Sequence, residues 1–354
     1  TLVAKSHDRH VELALRTTLK ENLAMIRDTV SHLRAEGQRV FLDAEHFFDG
    51  YRANRDYALE AVRTAAEADA DVVALCDTNG GMLPDELADI VHDVVSLGVR
   101  VGIHCHDDSG CAVANTLAAV KAGATHVQGC ANGYGERSGN ANLFTVIGNL
   151  QLKRGMRLVT DEQLGEMTRI AHAVSEVTNV APASQQPYVG LSAFAHKAGL
   201  HASAIKVDPD LYQHIDPAAV GNDMRMLVSS MAGRASVELK GRELGYDLSG
   251  EKSKAVVDKV KELENAGYTF EAADASFELL LREELTGVRQ RYFEVESWRS
   301  IVERRPDGSM VSEATVKLHA KGERIIATGE GNGPVNALDN ALRIALGRLY
   351  PELV

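Results

Sequence analysis

Through the first 150 residues one unit recurs: a short apolar run, a polar or Gly-rich tip, then an amphipathic helical stretch. The runs are Leu2-Val3-Ala4, Val40-Phe41-Leu42, Val72-Val73-Ala74-Leu75, Val101-Gly102-Ile103 and His126-Val127-Gln128, with tips beginning near Lys5, Asp43, Asp77, His104 and Gly129. Asp77 and His104 stand 27 positions apart, His104 and Cys130 26, which is room for one strand, one helix and two loops. Alternating strands and helices imply a parallel sheet. In such sheets chemistry collects at the C-terminal ends of the strands, whether the sheet is doubly wound or closed into a barrel. No G-x-G-x-x-G follows any of the runs, which disfavours a dinucleotide-binding sheet and favours a (β/α)8 TIM barrel. Five units are legible where a barrel has eight. Five parallel strands alone would leave two long unpaired edges. The expectation is that three βα units precede Thr1 and that residues 1–150 supply the fourth to eighth strands.

Beyond a helix expected over Asp161–Val177 the pattern changes. Residues 182–262 carry clusters of Gly, Pro, His and Ser with a helical stretch at Ser253–Glu264, as in a small helical appendage. From about Ala273 a third pattern begins: a helix (Ser276–Thr286), strand-like runs at Tyr292–Val302, Ala314–Ala320 and Ile325–Thr328, then a helix over Val335–Leu349. Pro334 suits a helix start, where its missing N–H costs nothing. The expected organisation is therefore barrel at 1–160, helical linker subdomains at 161–265, and an α+β unit at 266–354 that looks like half of a larger domain.

A formal net charge of −12 argues against a nucleic-acid or anionic-membrane partner, either of which calls for a basic face. Cys76, Cys105, Cys111 and Cys130 form no C-x-x-C pair, so a reducing cytoplasm fits better than a disulfide framework. No apolar run approaches the roughly 20 residues of a membrane helix.

His104 and His106 stand at i and i+2 on a strand end, so both imidazoles share one face. Two converging imidazoles can bind a divalent metal if an oxygen ligand joins them; alone, they can equally be hydrogen-bonded strand-end histidines. Asp107, Asp108, Ser109 and Gly110 follow at once, and the next strand leads into Gly133-Tyr134-Gly135-Glu136-Arg137-Ser138-Gly139-Asn140. A Gly-rich loop of this kind lets backbone N–H groups approach an anion, or is simply a flexible turn.

Here a family becomes visible. His-Cys-His-Asp-Asp-Ser-Gly-Cys-Ala-Val-Ala-Asn (104–115) resembles the H-x-H-N-D-x-G-x-A-x-A-N signature of the citramalate, 2-isopropylmalate and homocitrate synthases, with Asp107 in place of the usual Asn. Residues 133–140 are similar to that family's G-x-G-E-R-x-G-N. Residues 43–51 look like its citramalate branch in particular. The resemblance implies a metal-dependent acyltransferase that condenses acetyl-CoA with a 2-oxoacid in isoleucine or leucine biosynthesis. It implies His104, His106 and Asn140 as ligands of Zn, Mg or Mn. It places Glu45 at a catalytic glutamate, Thr78 at a hydroxyl that contacts the oxoacid carboxylate, and Glu136 and Arg137 in the substrate loop. His196-Lys197-Ala198-Gly199-Leu200-His201 resembles the family's H-x-x-G-h-H element, followed by Tyr212 at its catalytic tyrosine. His201 and Tyr212 would then act on the partner's barrel in a homodimer, with His201 as base or relay.

The implied mechanism is Lewis-acid polarisation of the keto group, proton abstraction from the acetyl methyl, addition and thioester hydrolysis. Which residue takes the proton stays open. The family's D-T-T-L-R-D-G motif, with an Asp ligand and a catalytic Arg, is absent from this sequence, so the chain as given is expected to be inactive. The C-terminal unit resembles a domain that binds an amino-acid feedback effector. Pyruvate is the expected 2-oxoacid. The alternatives are 2-oxoisovalerate (2-isopropylmalate synthase), homocitrate synthesis, a metal-dependent aldolase or lyase, and a non-catalytic binding fragment.

Overall fold

A computed structural model describes residues 1–197, 199–205, 207–228, 233–248, 250–270, 273–289 and 291–353. Ala198 of the His196–His201 segment and Val354 lie outside the described residues. The described residues divide into two compact units, Thr1–Lys240 and Gly241–Val354.

The first unit is built on a five-stranded parallel sheet: β1 (Leu2–Lys5), β2 (Phe41–Glu45), β3 (Val72–Asp77), β4 (Val101–Cys105) and β5 (His126–Gln128). The strands lie in sequence order, β1-β2-β3-β4-β5, each paired with its neighbour in the chain. Each connection carries helix, including Leu19–Ala35, Arg55–Glu67, Pro84–Val95 and Ala112–Ala122. Their starts are chemically marked. Thr18 accepts from the Glu21 N–H and Asn54 from the Tyr57 N–H, while Pro84 sits in the first turn of its helix.

Strand alternation splits the sheet into two chemical faces. Leu42, Ala44, Val73, Leu75, Val101, Ile103 and Cys105 are buried against Ile26, Val30, Leu59, Val62, Leu87, Val91 and Ala119 of the helices. The opposite face carries Phe41, Asp43 and Glu45 on β2, Val72, Ala74 and Cys76 on β3, Gly102 and His104 on β4, and His126 and Gln128 on β5. β3 is buried at every residue, as a strand covered on both faces must be. Gly102 is in a tight place: a Cβ there would stand 3.0 Å from His126 Cδ2 and from Val72 Cγ1.

The helix expected over Asp161–Val177 is two, Asp161–Gly165 and Met167–Thr178. The first is closed by a Thr160–Gln163 capping box. The break falls where Gly221 packs so closely on the Gly165 carbonyl that no Cβ would fit. The unit also contains a two-stranded parallel pair, β6 (Ala195–His196) and β7 (Arg225–Met226), and the helix Gly199–Ile205.

In the second unit helices Glu251–Asn265 and Asp274–Thr286 bury Val256, Val260, Phe277 and Leu281. An antiparallel sheet follows in the order β10-β9-β8, with β8 at Glu294–Arg304, β9 at Met310–Ala320 and β10 at Glu323–Gly331. The helix Pro334–Gly347 starts with proline in its first turn, and its Ala341, Ala345 and Leu346 pack on Val316, Leu318 and Ala327. Among the described residues no helix is long and apolar enough to cross a membrane.

Leu75 is fully buried at the centre of the helix-facing side. Leu75→Ala is expected to destabilise the first unit by about 2–5 kcal/mol, read as a lower denaturant midpoint; an unchanged midpoint would show that this face is not the core.

Candidate active site

The parallel register places Lys5 beside Glu45, Cys76 beside His104, and His104 beside Gln128, so the strand ends form one row on the polar face. Lys5 Nζ forms an ion pair with Glu45 Oε2. The Glu45 carbonyl accepts from the Ser6 hydroxyl at 2.8 Å. His46 follows in the left-handed region (φ 56°), and its N–H donates to Thr78 Oγ1 at 2.8 Å. Thr78 and Glu45 are thus tied through one backbone amide, and the Thr78 hydroxyl proton is left to point at another acceptor.

His104 and His106 face the same side, with ring centroids 5.3 Å apart. Asn140 joins them from the Gly-rich loop, where it forms an isolated backbone bridge with His106. Its Oδ1 stands 2.9 Å from His104 Nε2, while its Nδ2 donates to the Tyr134 carbonyl at 2.9 Å. The loop needs its glycines for this approach. A Cβ on Gly135 would fall 2.0 Å from Asn140 Nδ2, and Gly139, at φ 95°, has the Gly133 carbonyl 2.1 Å from where its Cβ would be. Burial, then the neighbouring His104, lowers the His106 pKa. Both effects favour the neutral ring, the form a ligand takes, and its Nδ1 is buried without a hydrogen-bond partner.

This donor set suits a divalent cation. Two ligand atoms each about 2.1 Å from one cation in near-octahedral geometry stand about 3 Å apart, and His104 Nε2 and Asn140 Oδ1 are 2.9 Å apart. The site is nevertheless sparse: among the described residues no three His, Cys, Asp or Glu side chains converge as a ligand group.

Arg137, on the same loop, is engaged. Its guanidinium grips Asp108 through two bonds of 2.8 and 2.9 Å and also donates to the Thr78 carbonyl at 2.8 Å. That contact lowers the Asp108 pKa. Glu136 projects into solvent, 87% exposed, with its nearest charged neighbour Arg137 at 4.0 Å. Asp77 is buried and accepts from the Gly81 and Met82 N–H groups, holding the loop after β3; burial raises its pKa.

His201 and Tyr212 form a pair of their own, with rings stacked at 4.1 Å. Among the described residues none of their hydrogen bonds, ion pairs or ring contacts reaches Glu45, His104 or His106. Sequence reasoning missed Lys5, Asp43 and Gln128 as members of the site. Lys5 and Gln128 close their strands, but nothing local says which strand end each one faces.

Residues 1–174 match the HMGL-like family, residues 188–267 the homocitrate synthase post-HMGL domain-like family, and residues 271–354 the LeuA allosteric (dimerisation) domain. The chain is 71% identical to an (R)-citramalate synthase of Streptomyces coelicolor over 356 residues, covering 100% of this chain and 67% of that protein. The chain belongs to the (R)-citramalate synthase family. An (R)-citramalate synthase of Aquifex aeolicus is 47% identical, with coverage of 100% and 68%. A 2-isopropylmalate synthase of the same organism is 32% identical, with coverage of 98% and 66%. The parallel sheet is accordingly part of an HMGL-like TIM-barrel domain, followed by post-HMGL and LeuA-type domains. The family uses a divalent metal and acetyl-CoA.

Burial is the largest cause holding the pKa values of His10, His46, His106, His126, His196 and His214 below the ordinary 6.5. As pH falls through 6.5 the unfolded chain takes up protons that the folded chain resists. The stability present above pH 6.5 is then lost progressively toward the lowered folded values. The thermal midpoint of the first unit is expected to drop between pH 7 and pH 5; a flat profile would refute this.

Proposed function

We propose that the protein condenses acetyl-CoA with pyruvate to give (R)-citramalate, as an acyltransferase of isoleucine biosynthesis. The observation that carries this reading is the 71% identity to an (R)-citramalate synthase along the whole chain. His104, His106 and Asn140 would hold the divalent cation, and a mixed imidazole and amide set is compatible with Zn, Mn or Mg. When bound, the cation supplies Lewis acidity to the keto oxygen of the 2-oxoacid.

The chain's own residues position the rest. Thr78, its oxygen occupied by the His46 N–H, directs its hydroxyl proton to the oxoacid carboxylate. Glu45, oriented by Lys5, lies in the same row as His104 and assists proton movement. Arg137 braces Asp108 and the Thr78 carbonyl, and with Glu136 it borders the substrate loop. His201, backed by the Tyr212 ring, takes the proton from the acetyl-CoA methyl. Addition to the keto carbon and hydrolysis of the thioester then release CoA.

The separate His201–Tyr212 pair and the LeuA-type dimerisation domain support catalysis across a homodimer, with the pair reaching the partner's barrel. Residues 1–160 would be barrel, 161–265 the cap, and 266–354 the regulatory part that takes an amino-acid effector. Four free thiols are in keeping with a reducing cytoplasm.

Release of CoA thiol by the full-length protein with pyruvate or 2-oxoisovalerate tests the substrate. Pyruvate is expected to be favoured in kcat/KM by about 10- to 200-fold, the discrimination available from a small change in side-chain size. Preference for 2-oxoisovalerate would make the protein a 2-isopropylmalate synthase instead. Catalysis across the dimer is tested by mixing His104→Ala and His201→Ala subunits, each inactive alone. Random reassortment should restore about a quarter of the activity, since half the dimers are mixed and each holds one intact site. A mixture as inactive as its parents would refute it.

A further inference from the structure

His104 lies between two side-chain amides, and both are anchored so that an oxygen faces the ring. On one side Gln128 Oε1 is 2.9 Å from His104 Nδ1, while Gln128 Nε2 donates to Asp43 Oδ1 at 2.7 Å. An ionised carboxylate only accepts, so the glutamine cannot turn its NH2 toward the ring without losing that bond. On the other side Asn140 is held the same way by the Tyr134 carbonyl, with Oδ1 toward His104 Nε2. Nδ1 must therefore carry a proton to satisfy Gln128, and Nε2 meets a second acceptor. A lone pair at Nε2 opposite a carbonyl oxygen is unfavourable unless a proton or a metal cation is shared between them.

The bond from Gln128 to Asp43 spans from β5 to β2. In register with Asp43 the two intervening strands carry Ala74 and Gly102, which have too little side chain to obstruct it.

We propose that Asp43 and Gln128 are positioning residues for the cation site. Asp43 fixes the Gln128 amide, Gln128 fixes His104 as the Nδ1–H tautomer, and Nε2 is thereby presented beside Asn140 Oδ1 as a ready pair of ligand atoms. This rests on the reading that His104 and Asn140 hold the metal, and it adds the parts that aim them. Ligands oriented this way commonly lose 10- to 100-fold in metal affinity when the orienting group is removed.

The test is Mn2+ titration of the purified full-length protein by calorimetry, without substrate, on variants whose circular dichroism and melting temperature in EDTA match the parent. Gln128→Leu removes the acceptor and should weaken Mn2+ binding about 10- to 100-fold. Asp43→Asn combined with Gln128→Glu exchanges the two groups: an amide now donates to a carboxylate, and the carboxylate accepts from Nδ1–H. That double variant should bind within about threefold of the parent, although each position has changed, and it carries the test if Gln128→Leu does not fold. Parent-like affinity in Gln128→Leu, or a double variant that binds at least tenfold more weakly than the parent, would overturn the proposal. His104→Ala serves as the reference: unchanged Mn2+ affinity there would sink the metal reading itself rather than the roles of Asp43 and Gln128.

Discussion

The parallel backbone ladder of β1 to β5 is the constraint on which the site depends. Because strand side chains alternate, one register decision sends Leu42, Leu75, Ile103 and their neighbours to the helices. The same decision sends Glu45, Cys76, His104 and Gln128 to the other face. A slip of one residue in any strand would exchange the two sets. The hydrophobic burial that stabilises the unit is thus also what aims its polar groups, and β3, covered on both faces, is its least forgiving member.

The loops at the strand ends are joined by polar bonds in addition to buried apolar residues such as Met82 and Ala141. Arg137 ties the loop after β5 to Asp108 after β4 and to the Thr78 carbonyl after β3. The His46 N–H ties β2 to Thr78, and Asp77 gathers two amides of its own loop. Each is a modest interaction, and their value is geometric: they hold loops from four strands in one arrangement. The close contacts of Gly135 and Gly139 serve the same end by letting the loop bring Asn140 against His104.

The second unit uses different physics. Its antiparallel sheet covers one face with the helix Pro334–Gly347, while β8 stays largely exposed, Trp298 at 64%. Glu296 lies at the β8 bulge and pairs with Arg324 of β10 and His319 of β9, and the Arg324 bond is the main cause holding its carboxyl down at about 2. Such a surface network orients strands and adds little to stability. A sheet with one face covered suits a domain of a type named for dimerisation.

The five parallel strands, the His-x-His pair and the βββα order of the second unit were legible in the sequence because each rests on a local period. Alternation by two marks a strand, proline marks a helix start, and the spacing of 26 or 27 residues marks a repeat. What stayed hidden were the partners. Lys5 meets Glu45 across 40 positions, Arg137 meets Asp108 across 29, and Asp43 meets Gln128 across 85. The close packing of Gly221 on the Gly165 carbonyl, beside the helix break at Glu166, likewise joins distant parts of the chain. Local pattern determined which residues stand at strand ends and which side they face. Only the tertiary structure decided which strand ends touch, because register and twist bring together residues whose separation along the chain carries no period to read.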